Sequence, residues 1–205
     1  MLKKKIKLNL KKNNFLVTFH PETIKGKYFS KLIFPVIKCL EKTKDTNIIF
    51  TSPNSDPGNL FIKKIIQKSC RLNKNRFKFI KSMGQKLYFS YLKHCNLVIG
   101  NSSSGIIEVP SFKIPTINLG TRQEGRVKSL SVIDTNYSIK LFKKALMHAL
   151  SSNFKKKLKT LQNPYFKKNT SDQILRILNK KNIKKKDLIK KKFYDIKKNY
   201  GKNFS

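Results

Sequence analysis

The sequence predicts an α/β fold in which helices cover both faces of a Rossmann-like, doubly wound parallel sheet. Short runs of β-branched and aromatic residues alternate with longer segments in which apolar residues recur every three or four positions. Most of the short runs end in Pro, Gly, Asn or Ser, residues that commonly terminate strands. The runs are continuously apolar rather than alternating, which is typical of parallel strands buried on both faces.

Six strands are predicted from these apolar runs. In chain order they are Asn14–His20, Asn47–Ser52, Arg76–Lys81, Leu97–Asn101, Thr116–Gly120 and Ser131–Asp134. Helical segments separate most of them, so the chain can return to the same edge and pair consecutive strands in parallel.

Helices are predicted where apolar residues recur at the helical spacing of three and four. One apolar face runs from Leu32 to Leu40, and Ser30 is a candidate cap for it. A second runs from Leu60 to Ile66 after Asn59. The remaining predicted helices are Tyr88–Cys95, Ile139–Leu150 and a short capped helix over Ser171–Leu178.

The predicted domain organisation is one folded domain between two basic segments. The Rossmann-like domain is assigned to residues 14–178, and the basic residues 1–13 are interpreted as the remnant of a linker. From Lys155 onward the chain has 18 basic and three acidic residues. We therefore interpret residues 179–205 as a Lys-rich tail that is helical or partly disordered.

The formal net charge of +37 is weak evidence for a nucleic-acid partner. A basic chain can bind the phosphate backbone, but only five of the 47 basic residues are Arg, which binds phosphate and guanine better than Lys does. Lys, Asn and Ile are abundant while Ala occurs twice and Trp never, which is typical of drift towards A/T-rich codons. Charges also cancel within residues 100–125, so we do not favour nucleic-acid binding.

Composition also argues against membrane, disulfide and zinc proteins. No apolar run approaches the roughly 18–20 residues needed to span a bilayer. The three cysteines form no CxxC pair and are odd in number, so the sequence suggests neither a disulfide framework nor a metal site. A cytoplasmic location is expected, with no cofactor.

Unusual polar residues follow five of the predicted strands. In open α/β sheets, ligands bind outside the carboxyl ends of the strands. The segments found there are His20–Thr23, Ser52–Asp56, Ser82–Gly84, Gly100–Gly105 and Gly120–Gln123. Five loops are therefore expected to meet at one edge of the sheet and to form a binding site.

The GNSSSG segment, residues 100–105, is the most informative of these loops. A strand that turns through small residues into a helix presents backbone N–H groups that bind an anion, and the hydroxyls of Ser102, Ser103 and Ser104 add donors. Glu108 follows closely enough to accept hydrogen bonds from the vicinal hydroxyls of a ribose. The alternative is an ordinary helix cap, because Ser and Asn are common capping residues.

The other candidate residues each have a structural alternative. His20 precedes Pro21 and could be a turn histidine, and Asn54 lies in a turn where Asx side chains bond their own backbone. Arg122 and Arg126 are two of only five arginines in a chain whose other basic residues are Lys, which suggests a diphosphate clamp, with a surface ion pair to Glu124 as the alternative.

Three segments resemble the C-terminal half of the UDP-N-acetylglucosamine 2-epimerase family, and most closely its hydrolysing, sialic-acid-type branch. They are GNSSSGIIEVPSFKIPTINLGTRQEGR (residues 100–126), TFHPET (18–23) and NPYFKKNTSDQIL (163–175). The resemblance implies the C-terminal domain of a GT-B fold that binds a UDP-sugar. It places six residues at UDP-contacting positions, namely His20, Asn54, Ser102, Ser103, Glu108 and Arg122.

By the same resemblance, Ser102 and Ser103 would hold the diphosphate, Glu108 the ribose, and Arg122 with His20 would face the phosphates. Ser82 would lie near the uracil. The family's chain is about twice as long, and its absent N-terminal half carries the carboxylates expected to move protons. No catalytic residue is therefore expected here, apart from a contribution by His20.

The chain thus resembles a nucleotide-binding half that needs a separately encoded N-terminal domain to release UDP and N-acetylmannosamine. A solitary UDP-binding remnant without catalysis and a basic nucleic-acid binder are the alternatives. The UDP-sugar, the hydrolysing or non-hydrolysing outcome and a homo-oligomeric state stay open.

Overall fold

A computed structural model describes residues 11–22 and 28–180 of the 205-residue chain. Its six strands are β1 (Asn13–Thr18), β2 (Thr46–Thr51), β3 (Phe77–Ile80), β4 (Leu97–Gly100), β5 (Thr116–Leu119) and β6 (Val132–Thr135). The helices are α1 (Phe29–Glu41), α2 (Asn59–Leu72), α3 (Gly84–Leu92), α4 (Ser104–Ile107), α5 (Ile139–Leu150), α6 (Ser152–Leu158) and α7 (Thr170–Lys180). A short 3₁₀ turn, Val109–Phe112, follows α4.

The strands form one sheet in the order β3-β2-β1-β4-β5-β6, and every neighbouring pair is parallel. The first three strands run outward in one direction from β1, and the last three run outward in the other. The strand order therefore reverses between β1 and β4. In a doubly wound sheet this switch point opens a crevice at the carboxyl ends of the two strands, where ligands bind.

The core has a layer on each face of the sheet, because successive side chains of a strand point to opposite faces. Phe15 and Val17 of β1 pack in one layer with apolar residues of α1, α2 and α5. Leu16, between them, packs in the other layer with Tyr91 and Leu92 of α3. Burial on both faces explains why the strands are continuously apolar.

The predicted parallel α/β fold is confirmed, and all six predicted strands form. The helices differ at their ends: α1 begins at Phe29, so Ser30 lies inside it, and α3 begins at Gly84 rather than Tyr88. The sequence analysis missed α6, which Ser151 caps by accepting a hydrogen bond from the Phe154 N–H.

The compact unit around the sheet ends at Phe166, and α7 belongs to a second unit that starts at Lys167. No helix within the described ranges is both long and apolar enough to cross a bilayer. Asn13, assigned to the linker remnant, is the first residue of β1, and α7 extends to Lys180, inside the predicted tail. Residues 1–10 and 181–205 lie outside the described residues, so the assignments of the linker remnant and the Lys-rich tail stay predictions.

Candidate functional site

A cavity of about 400 Å³ opens at the carboxyl edge of the sheet, beside the switch point. Its volume lies within the range of about 300–1,000 Å³ that is usual for small-molecule sites. The ends of β1, β2, β3 and β4 and the start of α3 all contribute to its wall. The lining residues include Thr18, His20, Thr51, Ser52, Ser82, Ser102 and Glu108.

A larger depression of about 770 Å³ lies beside the edge strand β3 and is lined by residues of α2 and β3. None of the loops at the carboxyl edge of the sheet contributes to its wall. The smaller cavity is the better candidate site because polar groups from several strand ends converge on it.

Four of the seven residues predicted from the sequence line this cavity: His20, Ser82, Ser102 and Glu108. The other three, Asn54, Ser103 and Arg122, do not line it. The Asn54 backbone N–H donates to His20 Nδ1 over 3.0 Å, and Arg122 Nη1 donates to the Asn101 carbonyl over 3.2 Å. Ser103 follows Ser102 directly in the chain.

The serine-rich loop follows β4 at a point where only glycine fits. Gly100 has a φ of +136°, and a Cβ there would lie 1.8 Å from the carbonyl oxygen of Thr18 on β1. This close approach brings the ends of β1 and β4 together. Within the described residues, no acceptor is found for the backbone N–H groups of Ser102 and Ser103, so these groups are available to an anion.

The predicted short helix after this loop is a single turn that ends at Ile107, just before Glu108. The segment α4 has four residues and passes at once into the 3₁₀ turn with Pro110. Since the helix dipole is the sum of aligned peptide units, one turn contributes little to anion binding. Directional hydrogen bonds from the backbone and serine hydroxyls must therefore supply most of the interaction.

His20 is held as a neutral ring. Burial, and secondly the Arg122 guanidinium, lower its pKa from 6.5 to about 4, against smaller opposite effects of Asp56 and Asn54. Its Nδ1 accepts the Asn54 N–H, so in the neutral ring the proton lies on Nε2. The side chain can thus donate one hydrogen bond through Nε2, and it carries no positive charge at neutral pH.

Several lining residues were missed by the sequence analysis. Tyr88 and Phe89 of α3 line the cavity, and the Tyr88 hydroxyl hydrogen-bonds to the Ser104 hydroxyl. Burial raises the pKa of Tyr88. In the sequence these aromatic residues read only as part of an apolar helix face. Lys81 and Gln85, which flank Ser82, also line the wall.

Glu22 and Tyr137 form a buried polar pair next to this edge of the sheet. Glu22 is only 7% exposed, and the Tyr137 hydroxyl donates to its Oε1 over 2.6 Å. The Glu22 carboxylate does not line the cavity. Among residues 11–22 and 28–180, no cluster of three or more His, Cys, Asp or Glu side chains is arranged to hold a metal ion.

A family model described as UDP-N-acetylglucosamine 2-epimerase matches residues 1–179. The chain is 40% identical over 134 residues to a GDP/UDP-N,N'-diacetylbacillosamine 2-epimerase (hydrolyzing) of Campylobacter jejuni, covering 65% of this chain and 35% of that protein. It is 35% identical to polysialic acid biosynthesis protein P7 of Escherichia coli, covering 92% of this chain and 48% of that protein.

The fold is also that of solved structures. A UDP-GlcNAc 2-epimerase of Neisseria meningitidis, bound to UDP-GlcNAc, superposes with a TM-score of 0.63 at 14% sequence identity. The match covers 88% of this chain and 47% of that one. The chain therefore spans about half the length, or less, of the relatives that it matches.

Proposed function

This chain belongs to the UDP-N-acetylglucosamine 2-epimerase family and corresponds to its C-terminal half, and we propose that it is the nucleotide-binding half of a hydrolysing epimerase. The complete enzyme would convert UDP-N-acetylglucosamine to UDP and N-acetylmannosamine. The observation that carries the proposal is the convergence of His20, Ser82, Ser102 and Glu108 on one cavity at the switch point of the sheet.

In the proposed complex the diphosphate binds at the serine-rich loop. The hydroxyls of Ser102 and Ser103 and their backbone N–H groups donate to it, and the neutral His20 donates through Nε2. Arg122 supplies the positive charge from the adjacent loop. Glu108 accepts hydrogen bonds from the ribose, and the uracil lies towards Ser82.

The chemistry requires a base that the described lining residues do not supply in this proposal. The reaction removes the C2 proton, eliminates UDP and adds water to the resulting double bond from the other face. Proton removal beside an acetamido group needs a positioned base. Glu108 is the one carboxylate among the lining residues that the structure describes, and it is engaged by the ribose in this proposal. The base would therefore come from an N-terminal half, encoded in the same protein or separately.

The names of two relatives bear on the substrate. The Escherichia coli relative is named for polysialic acid biosynthesis, which supports a sialic-acid-type epimerase. The Campylobacter jejuni relative, at 40% identity, is named for a diacetamido sugar, so a nucleotide-linked diacetamido sugar is the second candidate substrate.

The first experiment measures UDP binding by calorimetry. Ser102→Ala should weaken binding about 10- to 100-fold, because a hydrogen bond to a charged phosphate contributes about 1.5–3 kcal/mol. Glu108→Gln should weaken UDP binding by less, since the amide oxygen still accepts from the ribose. Ser138→Ala is the matched control, because this serine precedes α5 and its hydroxyl forms no capping hydrogen bond.

The second experiment mixes the chain with a folded N-terminal half of the family and measures release of UDP from UDP-N-acetylglucosamine. Turnover by the mixture, lost in Ser102→Ala, is the expected result. UDP binding without turnover would instead identify a non-catalytic remnant. Binding of nucleic acid that is lost on deletion of residues 180–205, with no affinity for UDP, would contradict the proposal.

A further inference from the structure

Asn101 is a fully buried side chain at the carboxyl end of β4, in the switch-point crevice. Its Oδ1 accepts the backbone N–H of His20 over 2.7 Å, and its Nδ2 donates to the His20 carbonyl over 2.9 Å. One amide thereby satisfies both backbone groups of a residue that lies 81 positions earlier in the chain.

The backbone of Asn101 joins two further segments to the same point. Its carbonyl accepts Arg122 Nη1 over 3.2 Å and the buried Gln123 Nε2 over 2.9 Å, both from the loop after β5. Its own N–H donates to the Thr18 carbonyl at the end of β1 over 3.2 Å. Asn101 thus bonds to the loops after β1 and β5 and begins the serine-rich loop itself.

We propose that Asn101 is the positioning residue of the UDP site, which fixes His20 and Arg122 relative to the serine-rich loop. The proposal rests on the proposed function. A diphosphate that contacts all three loops is bound tightly only if the loops are held in place before it arrives, because ordering them on binding would reduce the affinity.

The chemistry of the amide explains why asparagine suits this position. A carboxamide carries an acceptor and a donor side by side and can match one backbone N–H and one C=O. Aspartate would direct an oxygen at the His20 carbonyl, and an apolar side chain would leave both buried groups without partners. Leaving a buried polar group unsatisfied costs roughly 1–3 kcal/mol.

The chain contains a matched control for this arrangement. Asn14, which is also buried, accepts the Lys11 N–H over 3.3 Å and donates to the Lys11 carbonyl over 2.9 Å. It lies in β1 near the amino-terminal edge of the sheet, away from the cavity. Asn14→Ala and Asn101→Ala therefore each remove a side chain that binds both backbone groups of one residue, at opposite edges of the sheet. Asn14→Ala also removes an acceptor of Asn47 Nδ2, over 3.2 Å.

The experiment compares the two variants by NMR and by UDP titration. In the wild type, the imidazole of His20 should titrate with a pKa of about 4, set by burial, by Arg122 and by Asp56. In Asn101→Ala the ring should be more hydrated and further from Arg122, so its pKa should rise towards 6.5. UDP affinity should fall on the order of 10- to 100-fold. Asn14→Ala should leave both quantities unchanged, although both variants unfold more easily.

An Asn101→Ala protein with the wild-type His20 titration and the wild-type UDP affinity would overturn the proposal, since the residue would then only stabilise the fold. A second outcome separates the two proposals. If the wild type binds no UDP but the pKa of His20 is higher in Asn101→Ala than in the wild type and in Asn14→Ala, the proposed function is wrong, whereas the positioning of His20 by Asn101 is supported.

Two further measurements cover the case in which Asn101→Ala does not fold. Asn101→Ser keeps a polar group in the turn and should show the same changes. In the wild type, the His20 amide proton should exchange slowly with solvent because Asn101 accepts it. Exchange as fast as that of exposed loop amides would refute the hydrogen bond from the His20 N–H to the Asn101 side chain.

Discussion

We expect the domain to lose stability through His20 as the pH falls below about 6.5. The pKa of His20 is about 4 in the folded protein, mainly because the ring is buried and secondly because Arg122 lies nearby, against 6.5 for a hydrated histidine. The unfolded chain therefore binds a proton that the folded chain excludes. Stability is fully present above pH 6.5 and declines as the pH falls from 6.5 towards 4.

The magnitude follows from the two pKa values. Linkage gives a loss of about 2 kcal/mol between pH 7.5 and pH 5 for a completely desolvated ring. Part of the ring faces solvent in the cavity, so we expect about 1–2 kcal/mol. This is a measurable part of the roughly 5–15 kcal/mol that stabilises a typical domain.

The assay is urea denaturation of the wild type and of His20→Asn at pH 7.5 and pH 5. The Asn side chain places an oxygen near the position of Nδ1, so it can still accept the Asn54 N–H, but it cannot take up a proton. The wild type should lose about 1–2 kcal/mol more than the variant over this interval. Equal losses in the two proteins would refute the neutral, buried His20.

Four substitutions test three further features of the fold by urea denaturation. Gly100→Ala should lower the free energy of unfolding by roughly 3 kcal/mol or more, because its Cβ would overlap the backbone of β1. Gly84→Ala is the control and should lower it by only about 1 kcal/mol, because Gly84 has a φ of +59° but no atom within 4 Å of an added Cβ. Similar losses in the two variants would contradict the close approach of Gly100 to β1. Arg76→Lys should lower the free energy of unfolding by about 1–3 kcal/mol, because the guanidinium donates to the carbonyls of Thr43 and of Glu41, the last residue of α1, over 2.5 and 2.8 Å. An unchanged stability would mean that one amine replaces both bonds. Tyr137→Phe should lower the free energy of unfolding by about 1–2 kcal/mol, because it removes the hydroxyl that donates to Glu22. An unchanged free energy of unfolding would show that this hydrogen bond does not stabilise the fold.

The fold could be predicted from the sequence because its elements carry strong local patterns. The six strands are short apolar runs, and α5, Ile139–Leu150, has the predicted bounds. The predictions missed elements whose cause is not apolar spacing. The helix α6 has seven residues, three of them Lys, and depends on the Ser151 cap. The first turn of α3 begins at Gly84 with few apolar residues.

For the site, the sequence could predict which loops meet, but not the hydrogen bonds that hold them together. Parallel strands end at one edge of the sheet, so the convergence of His20, Ser82, Ser102 and Glu108 followed from their places after the strands. The role proposed for Asn101 could not be read from the sequence, because its side chain binds the backbone of a residue 81 positions away. Backbone groups are the same in every residue, and a sequence pattern does not show which of them a side chain will meet.

The charges at the site also explain why the chain's large net charge says little about its ligand. The cavity wall carries Lys81 and Glu108, which offset each other, and His20 is neutral above about pH 6. Arg122 supplies a positive charge from the neighbouring loop. In the proposed complex such a site would select the diphosphate by the directions of its hydrogen bonds, whereas a nucleic-acid surface relies on many cations and releases many counterions. UDP affinity should therefore fall far less steeply with added salt than binding of DNA or RNA to a chain of charge +37 would.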